Sequence, residues 1–227
     1  KTNKHLPQFS SCCPAWFKFV QNCYPDHVDM LSTCKSPTEM LGAIVKNYYA
    51  KKENVSKEKI KVVGIMPCTA KKYEMARPEM ESENGRDVDA VLTTREAARL
   101  FRLKNIDLAK LPDEDFDSFM GEGTGAARIF GTTGGVMEAA IRTVAWKLTG
   151  GEMDAIDYEA ARGYRGVKEA TLNINGLEVK VAIVNGIKNA KAVMDDVRAG
   201  KSPYHFIEVM ACPGGCLNGG GAPLLKN

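Results

Sequence analysis

Apolar positions first recur at helical spacing just after Cys13-Pro14. Trp16, Phe17 and Val20 follow it, and a proline in the first turn marks a helix start. Ser36-Pro37-Thr38-Glu39 has the form of a capping box with proline at N1. Leu41, Ile44, Val45 and Tyr48 then repeat on one helical face. Residues 61–66 break that period with a short apolar run, expected as a buried strand ending at Pro67-Cys68. Residues 89–92 read as a second short strand. Thr93 and Glu96 form another capping box, which predicts a helix over 97–103.

Residues 107–118 are acidic and proline-marked and read as a linker between two lobes, 1–118 and 119–227. Glycines follow at 121, 123, 125, 131, 134 and 135. Val136, Met137, Ala140, Ile141, Val144 and Leu148 then share one face of a helix. Residues 171–174 and 177–184 flank Asn175-Gly176, a strong hairpin signal. A helix over 188–198 precedes a final strand, 204–210, that delivers the chain to Cys212. Strands alternating with helices predict an α/β architecture of small sheets flanked by helices. No internal repeat or low-complexity segment interrupts it.

Composition narrows the class. The 227 residues are 44% hydrophobic and 26% charged, as in globular chains. A net charge of +3 is too small to argue for nucleic acid or a membrane surface. No apolar run approaches the ~18 residues of a membrane span. Lys1-Thr2-Asn3-Lys4-His5 lacks the apolar core of a signal peptide, so a cytoplasmic location is expected, with the periplasm left open. The first residue is not Met and motifs begin almost at once, so a longer parent polypeptide is expected. Seven cysteines, an odd count, fit a disulfide scaffold poorly. Three histidines nearly exclude sites that need several imidazoles.

The richest chemistry lies in Ala211-Cys212-Pro213-Gly214-Gly215-Cys216-Leu217-Asn218-Gly219-Gly220-Gly221. Thiolates among glycines that expose bare N–H groups suit an anionic, sulfur-rich inorganic cofactor. The other cysteines of interest also sit where elements start or stop. Cys12 and Cys13 precede a helix, Cys68 ends a strand, and Cys212 follows the last strand. Ligands of open α/β sheets bind outside the carboxyl ends of strands. Cys12 or Cys13 with Cys68, Cys212 and Cys216 would complete a cubane iron–sulfur site. Buried structural cysteines are one competitor. Zinc is another, though only one tight cysteine pair exists and no histidine is near. The glycine run at 121–135 has neither a phosphate-loop nor a dinucleotide fingerprint, so close packing or approach to a cofactor is expected there. Lys71, Lys72 and Glu74 read either as a solvated turn or as functional charges beside Cys68. Met66 and Met210 each stand two residues before a cysteine, as core or as pocket walls.

Three segments together resemble the signatures of [FeFe]-hydrogenases. They are Ser11-Cys12-Cys13-Pro14-Ala15-Trp16, Met66-Pro67-Cys68-Thr69-Ala70-Lys71-Lys72-Tyr73-Glu74 and Glu208-Val209-Met210-Ala211-Cys212-Pro213-Gly214-Gly215-Cys216. The segments at 87–96 and 129–140 are similar to the family as well. The resemblance implies two lobes with a metal cluster in the cleft between them, and reversible reduction of protons to H2. It implies a cubane [4Fe–4S] cluster linked to a diiron site with CO, cyanide and azadithiolate ligands. By motif position, Cys13, Cys68, Cys212 and Cys216 match the cubane ligands, Cys216 being shared with the diiron site. Cys12 matches a proton-relay thiol and Ser32 a further relay member. Lys71 matches the donor to an iron-bound cyanide. Met66, Met210, Phe130 and Gly131 match the walls of the pocket. The implied partners are H2, protons, an electron carrier or subunit such as ferredoxin, and a preceding segment of the same enzyme. The glycine run departs from the family pattern at Ala222, where glutamine is usual. Non-catalytic relatives in iron–sulfur assembly and sensory homologues are the alternatives. Cys12 and Lys71 together favour the enzyme.

Overall fold

The structure, a computed structural model, describes residues 6–82, 85–117, 122–154, 156–163 and 165–223. The first five residues, Gly121 of the glycine run and the expected lobe boundary at 118/119 lie outside the described residues. The strands are β1 (Gln8–Phe9), β2 (Val63–Met66), β3 (Glu81–Ser82), β4 (Gly85–Arg86), β5 (Ala90–Thr93), β6 (Glu159–Ala160), β7 (Val167–Ile174), β8 (Leu177–Asn185) and β9 (Phe206–Met210). The helices are α1 (Pro14–Cys23), α2 (Pro37–Ile44), α3 (Ala50–Lys52), α4 (Lys71–Glu74), α5 (Thr94–Leu103), α6 (Gly125–Ile129), α7 (Gly135–Thr149) and α8 (Ile187–Arg198). A π turn, Val45–Tyr49, joins α2 to α3.

Two compact units emerge, each discontinuous in sequence. Lys1–Thr33 groups with Glu122–Leu217, and Cys34–Gly121 with Asn218–Asn227. In the structure the strand at the start of the chain, β1, pairs with the last strand, β9.

The first unit is a mixed five-stranded sheet in the order β1-β9-β8-β7-β6. β1 and β8 both run parallel to β9, whereas β7 is antiparallel to β8 across the expected turn at Asn175-Gly176. Helices cover both faces. Ala182, Val184, Ile207 and Val209 join Trp16 and Val20 of α1 and Val193 and Met194 of α8 in one apolar cluster. Val181 and Ile183 point the other way and meet Met137, Ile141 and Ala145 of α7. The period of two along β8 thus feeds two cores, which is why its centre reads as an unbroken apolar run. The buried face of α7 differs from the stripe that the sequence predicts. Residues 137, 141 and 145 are buried, whereas Val144 and Leu148 are about half exposed. Glu208 on β9 sets that rotation by accepting the N–H groups of Gly134 and Met137, at 2.7 and 2.6 Å.

The second unit pairs β2 with β5 in parallel and β3 with β4 in a hairpin. The capping box at Thr93 forms as expected. Its Oγ1 accepts from Glu96 N, and a Glu96 carboxyl oxygen accepts from Thr93 N. The capping box at Ser36 does not form. Ser36 is the N-cap residue, but its side chain makes no cap hydrogen bond; its hydroxyl donates to Glu74 Oε2 at 2.9 Å instead. The buried face of the α2–α3 stretch is Glu39, Gly42, Lys46 and Ala50, while Leu41, Ile44 and Tyr48 are exposed. Gly42 decides this. A Cβ there would lie 2.5 Å from Asp87 O, so a bare backbone seats the helix on the segment before β5. β2 is likewise not the buried strand expected, since Val63 is 52% and Ile65 56% exposed. Among the described residues its sheet has two strands, which leaves the Val63 and Ile65 face of β2 uncovered.

Candidate metal centre

In the first unit three parallel chain segments end side by side. Leu31 bridges Phe9 in parallel, and Phe9 is in register with Ile207. Past these contacts the segments become Ser32, Ser10 to Cys13, and Met210 to Cys212. Ser10 N donates to Ile207 O at 2.9 Å, and Val209 N donates to Ser10 Oγ at 3.1 Å. Trp16 Nε1 donates to Ser10 O at 3.1 Å, so the strand and the start of α1 hold the Cys12-Cys13 turn from both sides. Ser32 N donates to Phe9 O at 2.8 Å. Cys13 is the N-cap residue of α1 and is buried, whereas Cys12, Cys212 and Cys216 are partly buried.

The Cys212–Cys216 loop is pinned by backbone. Gly215 N donates to Cys212 O at 3.1 Å, and Leu217 N donates to Gly131 O at 3.1 Å. Gly215 has φ +96, and a Cβ on it would lie 2.7 Å from both Gly131 O and Thr133 N. Only glycine permits that approach. Asn185, at the end of β8, ties the two loops together. Its amide nitrogen donates to Thr133 Oγ1 at 2.7 Å and to Cys212 O at 3.2 Å, and its oxygen accepts from Gly214 N at 3.1 Å. Phe130 and Gly131 therefore lie at the loop that carries Cys216, and Met210 is fully buried at the end of β9.

The second unit carries Met66, Cys68 and Lys71. Met66 ends β2 in register with Thr93, and Thr38 Oγ1 lies 4.0 Å from its sulfur. Gly221 N donates to Pro67 O at 2.8 Å, and Arg95 Nη2 donates to Gly220 O at 2.6 Å. The 219–221 glycines thus brace the turn into Cys68. Ala222, half-buried, closes that brace by donating its N–H to Gly219 O at 2.9 Å. Lys71 is 7% exposed, and its Nζ lies 2.6 Å from Glu74 Oε2. The solvated-turn reading holds for Lys72, which pairs with Glu96 at the surface, and not for Lys71.

The structure thus gathers Cys12, Cys13, Ser32, Phe130, Gly131, Met210, Cys212 and Cys216 in one unit, and Met66, Cys68 and Lys71 in the other. None of the seven cysteines is in a disulfide. Among the described residues no three Cys, His, Asp or Glu side chains are grouped to hold a single metal ion. The four thiolates of a cubane bind four different irons, so their sulfurs stand farther apart than donors sharing one ion. Sequence reasoning missed Asn185, Glu39 and Glu208. A charge inside the apolar run of β9 was the available signal for Glu208. Burial raises its pKa, opposed by the N–H groups of Gly134, Met137 and Val136.

Parallel strands that end in free cysteines, beneath helices on both sheet faces, define an α/β protein with thiols gathered at strand ends. The family described as "Iron only hydrogenase large subunit, C-terminal domain" matches residues 1–220, and the chain belongs to it. Membership implies an iron–sulfur cofactor. The chain is 55% identical over 225 residues to the periplasmic [Fe] hydrogenase large subunit of Nitratidesulfovibrio vulgaris, covering 99% of this chain and 53% of that protein. It is 32% identical over 225 residues to the cytosolic Fe-S cluster assembly factor narfl of Xenopus tropicalis, covering 96% of this chain and 47% of that one. The solved structure of HydA(deltaEFG), reported for stepwise [FeFe]-hydrogenase H-cluster assembly, superposes with a TM-score of 0.85 at 37% identity. That match covers 98% of this chain and 63% of the other. The chain therefore spans about half the length of these curated relatives. No helix among the described residues is long and apolar enough to cross a membrane.

Proposed function

We propose that this chain is the H2-activating part of an [FeFe]-hydrogenase, which oxidises H2 and reduces protons reversibly. The observation that carries this reading is the delivery of Cys12-Cys13 and Cys212 from the same ends of adjacent parallel strands, β1 and β9. The donor set fits the implied cofactor. Four reduced cysteines stand at element ends, and the loop between Cys212 and Cys216 is held by backbone packed against backbone at Gly215, where a Cβ would meet Gly131 O and Thr133 N. In this reading Cys13, Cys68, Cys212 and Cys216 hold the [4Fe–4S] cluster, with Cys216 shared with the diiron site and its CO, cyanide and azadithiolate ligands. When bound, the iron assembly supplies the bond-making and redox chemistry.

The protein's own residues do the rest. The Cys12 thiol, one residue from a ligand, carries the proton to and from the pocket, with Ser32 behind it. The Lys71 ammonium donates to an anionic cyanide, a charge-assisted bond. Met66, Met210, Phe130 and Gly131 wall the pocket against water. An electron carrier such as ferredoxin, and the rest of the parent enzyme, are the partners this reading requires. Retention of both Cys12 and Lys71 favours it over a non-catalytic role in iron–sulfur assembly.

Infrared spectra of the anaerobically purified full protein test the proposal. Stretching bands of CO and cyanide on iron are expected, and iron without such bands would favour the assembly reading. Zinc without iron or acid-labile sulfide would replace both. In the same protein Cys12→Ala should nearly abolish H2 turnover while iron content stays unchanged. Turnover like that of the wild type would remove Cys12 from the relay.

A further inference from the structure

Glu39 on α2 is a buried charge-bearing group that the proposed function does not use. It is 1% exposed, and neither carboxyl oxygen has a hydrogen-bond partner. The groups acting on it are all charged: Lys35 ahead of α2, Lys71 and Glu74 on α4, and Asp87 ahead of β5. Lys35 Nζ already pairs with Asp87 Oδ2 at 2.6 Å, and Lys71 Nζ with Glu74 Oε2 at 2.6 Å. Three carboxyl groups thus share two ammonium groups, each of which is matched. An ionised Glu39 would be a buried charge in excess, and a protein interior avoids that by keeping the proton. Burial, with repulsion from Glu74 and Asp87, lifts its pKa to about 7.

We propose that Glu39 is a positioning residue for Lys71. On the acid side of its titration it keeps its proton, so that one carboxylate rather than two competes for the Lys71 ammonium and the site stays receptive to an anionic ligand. This rests on reading Lys71 as the donor to an iron-bound cyanide. Once Glu39 ionises, a second negative charge draws the ammonium inward and sets a repulsive field against that ligand. Glu39→Gln holds the neutral form at every pH.

Infrared spectra of the full protein on either side of pH 7 test this in two states. Without its diiron site, the wild type should show a protonated-carboxyl band that shifts in heavy water and fades as the pH rises through about 7. Glu39→Gln should lack that band, and Glu39→Asp should retain a titrating one. With the diiron site loaded, the cyanide bands should move over the same pH range in the wild type and stand still in Glu39→Gln. The absence of a Glu39 carboxyl band below pH 7, or cyanide bands that move equally in both proteins, overturns the proposal. A carboxyl band that titrates as expected, with no cyanide bands in either loaded protein, overturns the cluster reading instead, and the role toward Lys71 with it.

Discussion

Glu208 in the first unit and Glu39 in the second are both buried carboxyl groups on regular elements, yet their surroundings differ in kind. Glu208 sits in an apolar strand and accepts two backbone N–H groups from the start of α7. Glu39 has no such partner and lies among Lys35, Lys71, Glu74 and Asp87. The buried Glu208 carboxyl of the first unit is met by fixed backbone, and Asn185 ties the Cys212 loop to Thr133 beside that same helix start. The second unit balances side-chain charges, and that balance can change with a proton. A ligand cradle needs the first kind of interior. Tuning the charge beside a bound anion needs the second.

Removing the Glu208 carboxylate should cost most. Glu208→Ala leaves the Gly134 and Met137 N–H groups buried without acceptors, an expected loss of about 3 kcal/mol in denaturant unfolding. A loss below about 1 kcal/mol would mean that the helix end finds other acceptors. Glu39→Gln should have the opposite sign. Unfolded, glutamate loses its proton near pH 4.5, and folded Glu39 near 7. Between those values the folded state binds more protons, so wild-type stability falls by about 1.4 kcal/mol per pH unit. The fall is complete above the folded pKa. Glu39→Gln removes this slope, so it should gain up to about 3 kcal/mol over the wild type above pH 7 and little under acidic conditions. Stability curves that run parallel at all pH values would contradict a protonated Glu39.

Smaller effects sharpen the same contrast within the cysteine loops. Gly215→Ala forces a side chain into positive φ and against Gly131 O and Thr133 N. About 2 kcal/mol of destabilisation is expected, with reduced iron retention on purification. Asn185→Ala removes the amide that spans Cys212, Gly214 and Thr133, for a loss of about 1 kcal/mol. An unchanged melting curve in Asn185→Ala would show that the Gly215 packing and the hydrogen bond from Leu217 N to Gly131 O hold the two loops without it.

Features set by neighbours in the chain were readable without coordinates. Pro14 opens α1, Thr93 and Glu96 close a capping box, and Asn175-Gly176 turns a hairpin. The cysteine-bearing ends of β2 and β9 were readable for the same reason. Ser36 looks identical to a working cap in sequence, yet it serves Glu74 thirty-eight residues away. Leu41, Ile44 and Tyr48 repeat as a core stripe should, but Gly42 and the charges around Lys46 and Glu39 turn the other face inward.

The order of residues alone determined where elements begin and end, which cysteines stand at strand ends, and the family those motifs mark. Hydrogen bonds and periodicity within a few residues are enough for that. Tertiary structure decided which helix faces are buried, how β1 comes to lie beside β9, and which carboxyl groups share the interior with Lys71. Those outcomes depend on atoms far apart in the chain, whose close approach, charge and desolvation exist only once the backbone has brought them together.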